Sequence, residues 1–336
     1  MRTMNCLFRR LLAPTLMVVA LILLTPPVQA QTPPGVGFET FTIPDGAGAP
    51  IEVGVWYPAT VSQAGPSLPL VVMSHGNGGV YNGHADTAIA LARAGFVAAA
   101  LTHTGDNYRD KSRATDVAER PRQLHVLIDY MVDEWRSHGR IDAGRIGAFG
   151  FSSGGFTVLV AAGGEPRLSR VGPHCAAHPE FFDCQLIGRQ PPQVDAATGH
   201  WTHDARIRAV VAAAPALGYT FGRDGLAKVT QPVQLWRAEN DRVLPHPFYA
   251  QAVNDALPSP PDFHVVARAD HFDFMPPCSP SLAANAPMIC RPTPGVDRAT
   301  FHDTFNRDIV AFFERTLTAR PIAKSRAASG EQDAHS

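Results

Sequence analysis

Short apolar runs alternate along the chain with longer segments whose apolar residues recur at helical spacing. The runs predict strands at 38–43, 51–57, 70–73, 96–101, 146–149, 207–214, 233–236 and 263–266. The helical pattern predicts α-helices at 87–94, 117–135, 156–162 and 301–316. Strands that alternate with helices are typical of a doubly wound, mostly parallel α/β sheet with helices on both faces.

The first 30 residues have the pattern of a secretory signal peptide. Arg2, Arg9 and Arg10 precede the apolar stretch 11–24, and Val28-Gln29-Ala30 is a small-residue cleavage site. An uncleaved membrane anchor is the alternative interpretation. We expect cleavage after Ala30, a mature domain at 31–320 and a polar, disordered tail at 321–336, in a periplasmic or secreted protein.

Charge and hydropathy narrow the possible partners of the mature chain. Cleavage removes three arginines and no acid, so the formal net charge falls from −1 to −4. No basic patch or run suggests nucleic acid. No later apolar run approaches the ~18 residues that a membrane span requires. We therefore expect a small-molecule partner, and the sequence carries no signal for an oligomeric state.

The pentapeptide Gly150-Phe151-Ser152-Ser153-Gly154 carries the first chemical signal, because it joins a predicted strand to a predicted helix. A G-x-S-x-G match at such a junction is typical of a nucleophile elbow, although ordinary Gly-Ser turns also produce it. Glycine is expected at 150 and 154 because a Cβ at either position would clash across the turn. The spacing selects Ser152 as the exposed nucleophilic hydroxyl and Ser153 as the first helical residue.

A serine nucleophile needs a histidine base and a carboxylate that orients the base. In sheets of this type the acid and then the histidine follow the serine along the chain. Asp241 and His271 stand in the loops after two successive predicted strands, with Glu239 as a rival acid. Asp270 and Asp273 flank His271 too closely to lie behind its ring, so we expect them to cap the turn or face solvent.

An oxyanion hole requires two backbone N–H donors that converge on the developing negative charge. One is expected from Ser153, and the other from the H-G-N-G-G loop after the third strand. Within that loop the Asn77 N–H is favoured, with Gly78 as the alternative. His75 is expected to brace the loop rather than act as a base. His302, near the start of the last helix, is expected to be a polar surface residue.

These motifs together resemble the α/β-hydrolase superfamily over about residues 36–318. The resemblance rests on G-F-S-S-G-G after R-I-G-A-F, and on H-G-N-G-G, V-G-V-W-Y-P and D-H-F-D-F. It is closest to the dienelactone-hydrolase-like branch that includes platelet-activating-factor acetylhydrolase-like proteins. True dienelactone hydrolases are similar in fold but use a cysteine nucleophile and lack an export signal. Dienelactone itself is therefore not the expected substrate.

The resemblance implies a serine hydrolase that cleaves carboxylic esters through an acyl-enzyme, with Ser152, Asp241 and His271 as the triad. No cofactor or metal is implied. One alternative is an amidase or peptidase with the same triad, and another is a non-catalytic binding protein of the same fold.

Two insertions, at about 163–206 and 276–298, each contain a pair of cysteines. Four cysteines permit three pairings, and an exported chain favours disulfides between the neighbours in sequence, Cys175–Cys184 and Cys278–Cys290. The alternative is a metal site built from the first pair of cysteines together with His174 and His178. Both insertions leave the catalytic edge of the sheet, so we expect them to wall the substrate pocket. Five phenylalanines are candidate lining, with core packing as the expected role of at least half: Phe151, Phe181, Phe182, Phe272 and Phe274.

Overall fold

One eight-stranded sheet organises the part of the chain that the structure, a computed structural model, describes: residues 34–62, 64–135, 140–192 and 200–317. The sheet order is β1-β2-β4-β3-β5-β6-β7-β8. The pairs β1–β2 and β2–β4 are antiparallel, and the remaining pairs are parallel. The strands are β1 (Val36–Ile43), β2 (Ile51–Pro58), β3 (Leu68–Ser74), β4 (Val97–Thr102), β5 (Ile141–Phe151), β6 (Ile207–Ala213), β7 (Val233–Ala238) and β8 (Asp262–Val266).

Helices cover both faces of this sheet. In one apolar cluster, residues of α2, α3 and α6 pack together, and in the other, residues of α1 and α8 do. The α-helices of the described ranges are α1 (Ala85–Arg93), α2 (Glu119–Asp133), α3 (Ser153–Ala161), α4 (Val171–Ala177), α5 (Phe182–Arg189), α6 (Ala250–Ala256), α7 (Pro280–Asn285) and α8 (Arg298–Leu317).

The central strand β3 shows why the core strands are continuous apolar runs rather than alternating ones. Leu70 and Val72 belong to the cluster on the α2–α3 face, and Val71 and Met73 belong to the cluster on the α1–α8 face. Successive side chains of a strand point to opposite faces, so a strand covered on both sides must be apolar at every position.

The predicted fold class and all eight predicted strands are confirmed. The four predicted helices correspond to α1, α2, α3 and α8. The sequence pattern missed α4 to α7, which have six to eight residues each. An apolar stripe repeats too few times in so short a helix to stand out from a loop. The predicted signal peptide and the polar tail at 321–336 lie outside the described residues.

The chain reverses its winding direction at β3, which lies between β4 and β5. Ser74, at the end of β3, is paired with Gly150, near the end of β5. In open α/β sheets a ligand crevice forms at such a switch point, beyond the carboxyl ends of the strands. The fold therefore places the loop after β3 against the turn after β5.

Both predicted disulfides are present. Cys175 bonds to Cys184 between α4 and α5, and Cys278 bonds to Cys290 across α7. The alternative metal site at the first pair was wrong, because its two thiolates are used up by the bond between them. Disulfides of this kind are typical of proteins outside the cytoplasm. Within the described ranges, no helix combines the length and the apolar character needed to span a bilayer.

Candidate active site

Ser152 occupies the tight turn between β5 and α3, with φ of 55° and ψ of −117°. A positive φ is strained for any residue with a Cβ and is found where the surrounding structure imposes it. A Cβ at Gly150 would lie 2.1 Å from the carbonyl oxygen of Gly154, and one at Gly154 would lie 1.9 Å from that of Ser74. The predicted need for both glycines is thus confirmed.

His271 lies between Ser152 and Asp241. Its Nε2 is 3.1 Å from Ser152 Oγ, and its Nδ1 is 2.8 Å from Asp241 Oδ2. The other carboxylate oxygen, Asp241 Oδ1, accepts the backbone N–H groups of Val243 and Leu244 at 2.9 and 2.7 Å. A carboxylate at Nδ1 selects the tautomer with the proton on Nδ1, which leaves Nε2 free to accept the serine proton.

The rival acids are engaged elsewhere. Glu239 Oε2 accepts the backbone N–H of Arg268 at 2.7 Å. Asp270 and Asp273 form a capping box around the short 3₁₀ helix that begins at His271, so the predicted capping role is confirmed. Asp273 is only 1% exposed, however, so the option that it faces solvent was wrong.

Two expectations about exposure were wrong. Ser152 is 9% exposed rather than open to solvent, because His271 and the backbone at Gly76 lie against it. His302 is buried as well, with Nδ1 2.7 Å from Asp86 Oδ2 and Nε2 3.0 Å from the backbone oxygen of Asp273. Position near a helix start indicates a surface residue only when no distant segment packs over it, and here α1 does. His302 therefore supports the 3₁₀ helix that carries His271.

The predicted oxyanion donors, the Asn77 and Ser153 N–H groups, differ in their hydrogen bonds from the alternative donor, the Gly78 N–H. The N–H of Gly78 already donates to Asp106 Oδ1 at 2.8 Å. Within the described ranges, neither the Asn77 N–H nor the Ser153 N–H donates to another protein group. These two amides, rather than the Gly78 N–H, are left for a ligand. The position of Asp106 just after a predicted strand indicates that it borders the site, but nothing near it in the sequence marks it as the anchor of the loop 75–79.

His75 has a structural environment. Its Nε2 accepts the backbone N–H of His103 at 3.0 Å, and its Nδ1 donates to the carbonyl oxygen of Gly76 at 2.6 Å. Burial, assisted by the positive charge of Arg120, lowers the pKa of His75 to about 3. A neutral ring with both nitrogens occupied braces the loop and offers no base.

The first insertion connects opposite parts of the catalytic edge. Asp183 in α5 accepts the hydroxyls of Tyr219 and Tyr249 at 3.0 and 2.8 Å. At the C-terminal end of α5, the Gln190 amide donates to the backbone oxygens of Lys111 and Ser112. The insertion thus links the segments after β6 and β7 to the loop after β4.

The five candidate lining phenylalanines separate by environment. Phe274 is a fully buried core residue, whereas Phe182 is 45% exposed. The ring of Phe181 stacks on that of His178, with the ring centroids 4.6 Å apart. The ring centroids of Phe151 and Phe272 lie 4.8 and 5.3 Å from that of His271, so these two rings pack around the imidazole.

Comparison with known proteins places this chain in a family. A ferulic acid esterase from Streptomyces cinnamoneus is 18% identical, with a TM-score of 0.58 over 88% of this chain and 93% of its own. A dienelactone hydrolase from Anabaena variabilis is 14% identical, with a TM-score of 0.51 over 84% of this chain and 99% of its own. At these identities the two structures establish the fold. No curated protein sequence matches significantly. The model of the dienelactone hydrolase family matches residues 57–255, more than half of the chain. The chain therefore belongs to the dienelactone hydrolase family of the α/β-hydrolase superfamily and is a hydrolase of the esterase type.

Proposed function

We propose that this protein is an exported serine hydrolase that cleaves carboxylic esters of small molecules through an acyl-enzyme intermediate. The observation that carries the proposal is the continuous hydrogen-bonded chain from Ser152 Oγ through His271 to Asp241, with links of 3.1 and 2.8 Å. A nucleophile, a base and an orienting acid within hydrogen-bond reach are the requirement for nucleophilic acyl transfer.

The first step is attack of Ser152 Oγ on the ester carbonyl as His271 Nε2 takes its proton. Asp241 stabilises the imidazolium that forms, and its two backbone hydrogen bonds hold it in place as a carboxylate. The imidazolium then gives its proton to the departing alcohol. In the second half of the cycle, His271 takes a proton from a water molecule as that water attacks the acyl-enzyme. The acyl–Oγ bond then breaks, the carboxylic acid leaves, and His271 returns the proton to Ser152 Oγ.

The tetrahedral intermediates place negative charge on the former carbonyl oxygen. We assign the two donors of the oxyanion hole to the Asn77 and Ser153 N–H groups. Ser153 is the first residue of α3, so the dipole of that helix also favours an anion there. Each such donor contributes about 10²–10³-fold to turnover in enzymes of this kind.

Two features support an exported protein. The first 30 residues have the basic, apolar and small-residue regions of a signal peptide. The disulfides Cys175–Cys184 and Cys278–Cys290 require an oxidising compartment to persist.

A matched pair of neighbouring serines tests the catalytic assignment. Ser152→Ala should lower hydrolysis of p-nitrophenyl esters by about 10⁴-fold or more and abolish labelling by a fluorophosphonate probe. Ser153→Ala should retain most activity, because only its backbone N–H is used. The esters should run from acetyl to palmitoyl, with the corresponding anilides alongside. Faster cleavage of the anilides would instead indicate an amidase, and full activity of Ser152→Ala would refute the assignment.

A further inference from the structure

We infer that Arg120 and Asp106 are positioning residues for the oxyanion hole, which act through the loop 75–79 and through α3. This inference rests on the function proposed above. The two side chains form an ion pair in which each is only 3% exposed.

The ion pair is an inefficient way to stabilise a fold. Desolvation of two buried charges offsets most of their attraction, and well-packed apolar residues often stabilise a protein as well or better. What a buried pair with many hydrogen bonds can provide is a defined geometry. The groups that surround Arg120 and Asp106 show which geometry is defined.

Asp106 binds two successive residues of the loop 75–79. Its Oδ1 accepts the Gly78 N–H at 2.8 Å and the Asn77 Nδ2 amide at 2.9 Å. Its Oδ2 accepts Arg120 Nη1. One carboxylate thus holds the side chain of Asn77 and the peptide group that follows it.

Arg120 holds the same loop on the preceding side, since its Nη2 donates to the carbonyl oxygen of His75. The Asn77 N–H therefore lies between two anchored points, the His75 carbonyl and the Gly78 amide. The carbonyl oxygen of the same peptide group, that of Gly76, accepts hydrogen bonds from His75 Nδ1 and the Gly79 N–H, so rotation of the group would break these bonds.

The same guanidinium also reaches the second donor. Arg120 Nε donates to Thr157 Oγ1 at 3.0 Å, and Thr157 Oγ1 donates to the carbonyl oxygen of Ser153 at 2.7 Å. Arg120 thus connects the residue that supplies one oxyanion donor with the loop that supplies the other. A planar fork with fixed N–H directions can serve both sides, whereas the single ammonium of a lysine cannot.

The two histidines next to Arg120, His75 and His103, are neutral, so the positive charge among these three side chains lies on Arg120. Burial and the charge of Arg120 lower the pKa of His103 well below its usual value. Its neutral ring is held between Ser74 Oγ at 2.9 Å and Gln123 Oε1 at 2.8 Å. His75, with a pKa of about 3, is neutral for the same reasons.

The test compares two arginines of helix α2. Arg120→Lys keeps the charge but loses the fork. Arg122→Lys is the matched control, because Arg122 pairs with the buried Asp45 through two hydrogen bonds of 2.7 Å and, within the described ranges, forms no hydrogen bond or ion pair with the loop 75–79. For each variant we would measure kcat and KM for p-nitrophenyl acetate, inhibition by an alkyl trifluoromethyl ketone, and the melting temperature. The ketone forms a tetrahedral adduct whose oxyanion occupies the hole.

We expect Arg120→Lys to lower kcat by about 10–100-fold, with KM within about threefold of wild type. Inhibition by the ketone should weaken by a similar factor. Arg122→Lys should lower the melting temperature without lowering kcat. A purely structural role of Arg120 would instead affect the melting temperature in both variants and kcat in neither, and that result would overturn the inference.

A second variant keeps the inference testable if Arg120→Lys fails to fold. Asn77→Ala retains the backbone N–H but removes the tether to Asp106, at a half-buried loop position. It should lower kcat about tenfold and leave the melting temperature nearly unchanged. Wild-type kcat in Asn77→Ala would contradict the positioning role. A wild-type protein without Ser152-dependent ester hydrolysis would refute the proposed function instead, so the two failures are distinguishable.

Discussion

The two sides of the candidate site are held in place by different kinds of contact. On the base side, Asp241 is held by the amides two and three residues further along the chain. His271 begins a 3₁₀ helix whose capping box lies within the same turn, and His302 and Arg242 add bonds to that turn from elsewhere in the chain. On the oxyanion side, the loop 75–79 is held by Asp106 and Arg120, which lie 28 and 45 residues away from the groups that they bind.

The difference teaches that turn chemistry can fix the acid and the turn that carries the base largely within their own loops, whereas the loop 75–79 relies on charged side chains from elsewhere in the fold. A side-chain carboxylate can be directed by the loop that carries it. A pair of backbone N–H groups on two separate elements cannot be aligned by either element alone. We therefore expect the two sides to respond differently to substitution.

The largest effect should come from breaking the base side at Asp241. Asp241→Asn favours the wrong imidazole tautomer and should lower kcat about 10⁴-fold, as in the related triad of serine proteases. Glu239→Gln, two residues away, should retain at least half of the activity, because Glu239 bonds to a backbone amide instead of His271. The readout is kcat for p-nitrophenyl acetate. Comparable losses in both variants would leave the acid unassigned.

The next effect concerns Gly154, where the turn after β5 meets the end of β3 and the start of the loop 75–79. A methyl group there would lie 1.9 Å from the backbone oxygen of Ser74, so one of two packed backbones must move. Gly154→Ala should lower the free energy of unfolding by about 3 kcal/mol and also lower kcat. The control is Gly172→Ala, which has open space around its Cβ and should be neutral or slightly stabilising. Urea denaturation of both variants decides the point, and equal stabilities would contradict it.

A smaller effect should follow loss of the disulfide on the base side. Cys278–Cys290 closes a loop of 12 residues that follows the 3₁₀ helix of His271. The chain-entropy model gives a stabilisation of about 2–3 kcal/mol for such a loop. Cys290→Ser should lower both the melting temperature and kcat, and reduction of the wild-type protein should have the same effect. Non-reducing peptide mapping provides the check, since four free thiols would refute the pairing.

The smallest effect should appear only at acidic pH and concerns His84. Its ring packs against the rings of Phe149 and Phe151 in β5. Burial lowers the pKa of His84 from 6.5 to about 4, with partial opposition from Asp86. Between these two pKa values the unfolded chain binds a proton that the folded protein does not. The contribution of the neutral His84 ring to the free energy of unfolding is therefore complete above pH 6.5 and is lost as the pH falls towards 4. His84→Leu should remove about 2 kcal/mol of the acid destabilisation between pH 6.5 and 4.5.

The control for His84 is the exposed His200. His200→Leu should leave the pH dependence of the melting temperature unchanged. If His84→Leu melts with the same acid dependence as wild type, the buried ring is not the group that titrates.

Several positions show what could be read from the chain. Gly150, Ser152 and Gly154 form one contiguous motif, because the clash that requires the glycines lies within a few residues of the serine. The positions of Asp241 and His271 followed from the order of strands, since parallel strands end at the same edge of the sheet. The burial of Ser152 and His302 was predicted wrongly, because the segments that cover them come from distant parts of the sequence.

The sequence by itself predicted the strands of the sheet, the turn at Ser152, the chain order of Ser152, Asp241 and His271, and the favoured pairing of neighbouring cysteines. Each of these depends on local spacing, strand alternation or an even number of cysteines in neighbouring pairs. Only the tertiary structure decided that Asp241 rather than Glu239 faces His271, and that Arg120 and Asp106 lie buried against the loop 75–79. In the sequence, an arginine on an amphipathic helix looks like any other solvated charge. Its burial and its partners arise because α2 packs beside α3 and below the ends of β3 and β4, which brings groups distant in the chain into hydrogen-bonding distance.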